Sequence, residues 1–224
     1  MLEGEVVFLL DVDNTLLDND RFLADLGDRL EQEFGTEARR RYWEIFAELR
    51  ERLGFADYLA SLQAFRSGLE EDPHLLHMAD YLLEYPFSGL IFPQALAAIE
   101  HVRSFGRPVV LSDGDVVFQP RKIKHSGIWD AVAGQVLIYV HKERSLDHVR
   151  RRYPASHYVM VDDKPNLLAA MKSILGEKLT TVFVRQGYYA LAAQSNTLEP
   201  RPDRVIERIG DLATFSASDF EALS

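Results

Sequence analysis

Four unbroken apolar runs, each ending abruptly at a polar or charged residue, constrain this chain more than anything else in it. Val6–Leu10 reads Val-Val-Phe-Leu-Leu and stops at Asp11. Residues 108–111 stop at Ser112-Asp113, residues 158–161 at Asp162-Asp163, and residues 180–184 at Arg185. A weaker run, 135–140, leads into His141-Lys142. Continuous rather than alternating apolar runs suit strands buried on both faces, as in a parallel sheet covered by helices. Between them lie helical patterns with clear punctuation. Residues 93–105 begin with Pro93 and end before Gly106, and 165–175 begin with Pro165 and end before Gly176. Strand–helix–strand alternation of this kind predicts a doubly wound α/β sheet.

Between Leu17 and Gly89 the texture changes. No strand-like run occurs over about 70 residues, too long for a loop without structure of its own. Phe22, Leu26, Leu30 and Phe34 recur every four residues until Gly35 stops them. Thr36 is placed to cap a second helix that Gly54 ends, 56–67 reads as a third, and Asp72-Pro73 opens a fourth that runs to about Tyr85. The plan is one strand, a four-helix insertion, then the rest of the sheet.

Composition narrows the chemistry. With 224 residues the chain suits one large domain or one domain carrying an insertion. The absence of cysteine excludes disulfide frameworks, thiolate catalysis, zinc fingers and iron–sulfur ligation. Twenty-five Lys and Arg against 35 Asp and Glu leave a net charge of −10, which disfavours nucleic acid and anionic membranes as partners. No apolar run approaches the ~20 residues that span a bilayer. The opening Met1-Leu2-Glu3-Gly4-Glu5 lacks a basic segment, and the expectation is a soluble cytoplasmic protein.

The chemistry-bearing residues stand at the run ends. Asp11 and Asp13 follow the first strand; two carboxylates this close repel unless water or a cation compensates, and a hard divalent cation with oxygen ligands is a natural compensator. A bare pair of this kind is more often a polar turn capping the next helix. A calcium loop fails on spacing, because Leu16 and Phe22 stand where its glycine and its last acid belong. Ser112-Asp113-Gly114, Lys142 and the pair Asp162 and Asp163 occupy equivalent places after later strands. Parallel strands bring all four ends to one sheet edge, where ligands of open α/β sheets bind. Together they describe a metal-plus-phosphate site.

In order and spacing these segments resemble the four motifs of the haloacid dehalogenase superfamily of phosphohydrolases. Asp11-Val12-Asp13-Asn14-Thr15-Leu16 matches the first, Ser112 the second, Lys142 the third and Asp162-Asp163 the fourth, at intervals of 101, 30 and 20 residues. The helical insertion resembles the α-helical cap of many members. Two departures are visible. Lys142 is followed by Glu143 rather than the common proline, which makes Lys122 and Lys124 rivals, disfavoured because they sit too close after Ser112. Lys164-Pro165-Asn166 stands where members often place a further acid.

The resemblance implies a Rossmann-like α/β core of residues 1–17 and 89–224 with a helical cap of residues 18–88. It implies a magnesium-dependent phosphatase acting on a small phosphorylated metabolite. Asp11 would be the nucleophile that becomes an aspartyl-phosphate, and Asp13 the general acid and base. Mg2+ would be held by Asp11, the Asp13 carbonyl and Asp163, with Asp162 direct or through water. Ser112 and Lys142 would bind phosphoryl oxygens, with backbone amides near Asp13, Asp113 and Gly114 as further donors. Family dehalogenases lack an acid at the position of Asp13, and retaining it points to phosphoester chemistry. A phosphomutase and a catalytically silent phosphate-binding member are the alternatives. In the cap, Arg52, Phe55 and Tyr58 flank the Gly54 turn, where related caps reach toward substrate. His141 beside Lys142 is as readily a structural neighbour as a site residue; His74 and His77 read as surface or core residues, and the arginines at 39–41 and 150–152 as solvated helix faces. The substrate's identity and the oligomeric state are left open.

Overall fold

A computed structural model describes residues 5–192 and 199–220; residues 1–4 of the opening segment lie outside them. The first strand, β1 (Val6–Leu10), is buried at every position. It pairs in parallel with β2 (Arg107–Asp113) on one side and β4 (His157–Asp162) on the other. Beyond them lie β3 (Val136–Tyr139), β5 (Leu179–Val184) and β6 (Arg204–Ile206), in the order β3-β2-β1-β4-β5-β6, every pairing parallel.

Alternate residues of β1 explain why its run is continuous. Phe8 and Leu10 enter one apolar cluster, with the inserted helices and with Ile99 and Phe118. Val7 and Leu9 enter a second, with Val109, Leu111, Met160 and Leu168 on the opposite face. Successive strand side chains point to opposite faces, and here both faces are covered.

The insertion comprises α1 (Asn19–Phe34), α2 (Thr36–Leu53), α3 (Tyr58–Phe65) and α4 (His74–Glu84). Its spans follow the expected punctuation except at the start of α2 and in the length of α3. Gly35, not Thr36, caps α2, because the Thr36 hydroxyl donates back to Glu31 Oε1 at 2.7 Å. The insertion joins the sheet through two adjacent connectors: the Asp18 N–H donates to Leu90 O at 2.8 Å and the Phe92 N–H to Leu16 O at 3.0 Å. This is the helical cap of a Rossmann-like doubly wound fold. The crossovers are completed by α5 (Ala95–Arg103), α6 (Phe118–His125), α7 (Ile128–Ala131), α8 (Leu146–Arg152), α9 (Pro165–Leu175) and α10 (Gly187–Ala192).

The sixth strand was not foreseen, because Arg204 and Val205 are exposed and only Ile206 is buried, which leaves no apolar run. It is pinned by Asp203, whose Oδ2 accepts from both the amide and the hydroxyl of Thr181 at 2.8 Å. Among the described residues no helix is long and apolar enough to cross a membrane.

Candidate active site

The strand order reverses between β1 and β4, and in open α/β sheets the crevice beyond such a reversal is where ligands bind. Asp11 leaves β1 there, its N–H still donating to Val161 O of β4 at 3.0 Å. The chain then turns tightly. Asn14 adopts a left-handed conformation (φ 61°), its Oδ1 accepts the amides of Asn19 and Asp20, and the amides of Leu16 and Leu17 return to Val12 O. The turn brings Asp13 to α6, where Gln119 and Lys122 meet it, while the Thr15 hydroxyl donates to Asp11 Oδ2 at 3.3 Å.

Lys142 is the hub of the buried charge. Its side chain is wholly shielded from solvent, with Nζ 2.5 Å from Asp11 Oδ1 and 2.7 Å from Asp162 Oδ2. Its backbone N–H donates to Asp113 Oδ1 at 2.8 Å, which fixes the loop after β3 against the end of β2. Burial opposes charging this lysine, but Asp11, Asp162 and Asp113 outweigh it and hold the ammonium well above the usual lysine range.

For Asp163 the nearby lysines Lys164 and Lys142 do not outweigh burial and the neighbouring acids. Asp163 is fully buried and neither carboxylate oxygen has a hydrogen-bond partner. Burial, then the nearby charges of Asp162 and Asp11, push its carboxyl up to about 9. One oxygen each from Asp11, Asp162 and Asp163 lie within 4.8 Å of one another. Three convergent buried carboxylates, one with both oxygens unsatisfied, fit a hard divalent cation.

Asp13 stands apart from that cluster and is partly exposed. Its Oδ1 receives the ammonium of Lys122 at 2.8 Å and its Oδ2 the amide of Gln119 at 3.3 Å. Gln119 also donates to the Ser112 hydroxyl at 3.0 Å. Over Asp13, Asp113, Asp163 and Lys164 lies a cavity of about 140 Å3, roofed by Leu23, Phe46, Arg50, Phe55 and Tyr58 of the cap. The seat of the roof is fixed at Gly54, whose φ of +83° places it beside His141; a Cβ there would lie 2.8 Å from the imidazole.

The structure thus gathers Asp11, Asp13, Ser112, Asp113, Lys142, Asp162 and Asp163 at one sheet edge, with Phe55 and Tyr58 above the cavity. Two expectations are corrected. The Gly114 amide, proposed as a phosphate donor, is engaged by Tyr139 O at 2.9 Å, because β2 and β3 pair up to that point. Arg52 is exposed and does not line the cavity; Arg50 does, because residues two apart on a helix point about 200° apart. Lys122, set aside as a rival to Lys142, meets Asp13 rather than Asp11. Lys164, read only as a departure, lines the cavity, and Asp11 and Asp162 raise its ammonium above the lysine range against the cost of burial. Gln119 carried no sequence signal, since a lone glutamine on a short helix marks nothing. His74 and His77 are exposed near Glu33, away from the cavity-lining set.

Comparison with known proteins agrees with this fold. The family model of haloacid dehalogenase-like hydrolases matches residues 6–174. A haloacid dehalogenase-like hydrolase from Burkholderia xenovorans LB400 is 53% identical, with a TM-score of 0.89 over 96% of this chain and 98% of its own. The L-2-haloacid dehalogenase of Xanthobacter autotrophicus superposes with a TM-score of 0.57 at 19% identity, covering 94% and 97% of the two chains. The HAD-hydrolase YfnB of Bacillus subtilis, in a form bound to magnesium, gives 0.63 at 15%, covering 95% and 98%. At these last identities the likeness is one of fold. No curated protein matches the chain.

Proposed function

The chain belongs to the haloacid dehalogenase-like hydrolases, and on that premise we propose that it is a magnesium-dependent phosphatase acting on a small phosphorylated metabolite. The observation that carries this reading is Asp13, a carboxylate at the cavity floor, two residues beyond Asp11 and held by two side-chain donors. Displacing a halide needs no proton donor; expelling an alkoxide from a phosphate ester does.

In this reading an Asp11 oxygen attacks phosphorus and the ester P–O bond breaks, with Asp13 giving its proton to the departing oxygen. Asp13 then takes a proton from the water that cleaves the aspartyl-phosphate, which releases inorganic phosphate, frees the Asp11 carboxylate and returns Asp13 to its protonated form. Lys142, bonded to Asp11 and Asp162, holds the nucleophile in place and offsets its charge. Lys164, at the cavity wall, meets the phosphoryl group, and Ser112, near the end of β2, is a further donor to it. Asp11, Asp162 and Asp163, with the Asp13 carbonyl, would hold Mg2+, which when bound supplies positive charge against the phosphoryl oxygens. The cap roof admits only a small leaving group and keeps bulk water from the ester.

The test is phosphate release from p-nitrophenyl phosphate and a panel of phosphorylated metabolites, with Mg2+, with chelator, and after Asp11→Asn. Turnover that depends on Mg2+ and on Asp11 supports the reading. Phosphate release that survives both treatments ends it. Chloride release from 2-chloropropionate without phosphate release replaces it with carbon–halogen chemistry, and isomerised sugar phosphates without phosphate release replace it with a mutase.

A further inference from the structure

The mechanism above leaves one buried cation without a task. Lys122, on α6, has a side chain wholly removed from solvent. Its ammonium lies 2.8 Å from Asp13 Oδ1 and 2.9 Å from Asn19 Oδ1. Around it stand four aromatic rings, Phe22, Tyr58 and Phe118 with centroids at 5.7 Å and Phe87 at 5.8 Å. Burying a lone ammonium is costly, and a pocket that only needed filling would take Met or Leu at no such cost. Here the cost is met by two oxygen acceptors and four ring faces, an arrangement that serves a charge.

The origin of those groups matters as much as their number. Phe118 and Lys122 belong to the core, on the helix after β2. Phe22 and Asn19 belong to α1, Tyr58 to α3 and Phe87 to the short turn after α4, all within the insertion between β1 and β2. The ammonium therefore sits where cap meets core, with one contact on the side chain assigned proton transfer.

We propose that Lys122 is a positioning residue: by holding Asp13 from within an aromatic box that the cap supplies, it fixes the point from which the proton is given and ties that point to the seat of the cap. This rests on the phosphatase reading for Asp13's role, but the anchoring itself does not. Lys122 forms no bond to substrate and acts only through Asp13.

The experiment compares wild type with Lys122→Met, which keeps length and loses charge, and Lys122→Arg, which keeps charge. Crystal structures of wild type and Lys122→Met report where the Asp13 carboxylate lies. Rates are measured on an alkyl phosphate, whose leaving group needs a proton, and as the first turnover of p-nitrophenyl phosphate, whose leaving group does not. The expectation is that Asp13 leaves its position in Lys122→Met and alkyl turnover falls about 10²-fold at little-changed KM, while the aryl first turnover stays near wild type. Lys122→Arg restores most of the loss, and adding Lys122→Met to Asp13→Asn costs nothing further. An Asp13 that stays in place without the lysine overturns the proposal, as do equal losses on both substrates. If Lys122→Met fails to fold, Lys122→Gln is read by the same criteria. If wild type releases no phosphate, the phosphatase reading falls, and the position of Asp13 in the variant still decides whether Lys122 anchors it.

Discussion

Asp163 shows what a site of this kind demands of a fold. Its carboxylate is buried beside Asp162 and Asp11 with neither oxygen bonded, and burial followed by those two charges raises it from its ordinary 3.8 to about 9. Between those values the native protein binds a proton that the unfolded chain releases, so stability falls as pH rises through that window. Asp163→Asn removes the penalty. In chelator its melting temperature is expected to match wild type near pH 4 and to exceed it increasingly toward pH 9. Added Mg2+ raises the wild-type melting temperature and leaves the variant unchanged. Thermal melts across that range check both; a variant that melts lower than wild type at pH 8 without metal contradicts the assignment. The acids were legible in the sequence because each ends an apolar run, and topology brings run ends together. Lys164 was not legible as a site residue, and Lys122 entered only as a disfavoured rival to Lys142. A lysine on or beside a helix reads as solvated, and only partners from distant segments, such as Asp13 and Phe22, reveal that it is buried.

At the level of elements, the seam between cap and core turns on the end of α2. Gly54 closes that helix in the left-handed region, its N–H donating to Arg50 O at 2.9 Å, and its Cα faces His141 so closely that a Cβ would come within 2.8 Å of the ring. Gly54→Ala carries two separable penalties. The backbone conformation costs about 1–2 kcal/mol for any residue with a Cβ. The clash pushes the α2–α3 turn, which carries Phe55, away from the sheet edge. The expected outcome is a lower melting temperature and a several-fold higher KM. Adding His141→Ala should restore KM and leave the conformational part of the stability loss, which melting and steady-state kinetics on the double variant resolve. Gly35 and Gly54 marked their helix ends from the sequence alone because both conformations favour glycine. The α3 helix is shorter than its 56–67 pattern because Asp57 caps it, accepting from the Ala60 N–H at 2.8 Å. The helices α6 and α7 carry no clear sequence pattern because each is eight residues or fewer and mixes polar with apolar positions, and α8 shows only in the arginines at 150–152 that read as a helix face.

Across the whole molecule, the six-stranded sheet separates what holds the fold from what acts in it. The carboxyl ends of β1, β2 and β4 carry the acids and the hydroxyl, while the interior of β1 is sealed from both faces. Phe8 shows the sealing. It packs edge-on to Phe105 at 5.5 Å and to Phe220 at 5.1 Å, which brings a residue of the last described turn onto the first strand. Neither Phe220 nor its partners touch the cavity. Phe220→Ala therefore opens a void against β1 without altering the groups around Asp11, and the cost for a buried phenylalanine is about 3–5 kcal/mol. The variant is expected to unfold at markedly lower denaturant, with the slope of the transition unchanged, while KM and kcat at a temperature well below its melting point stay at wild-type values. A matched fall in kcat would mean instead that packing at that end of the sheet is transmitted along β1 to Asp11. Unfolding curves and rates measured on the same preparation distinguish the two, because a stability loss alone lowers the active fraction only as the midpoint is approached, whereas a displaced nucleophile slows every turnover at any denaturant concentration.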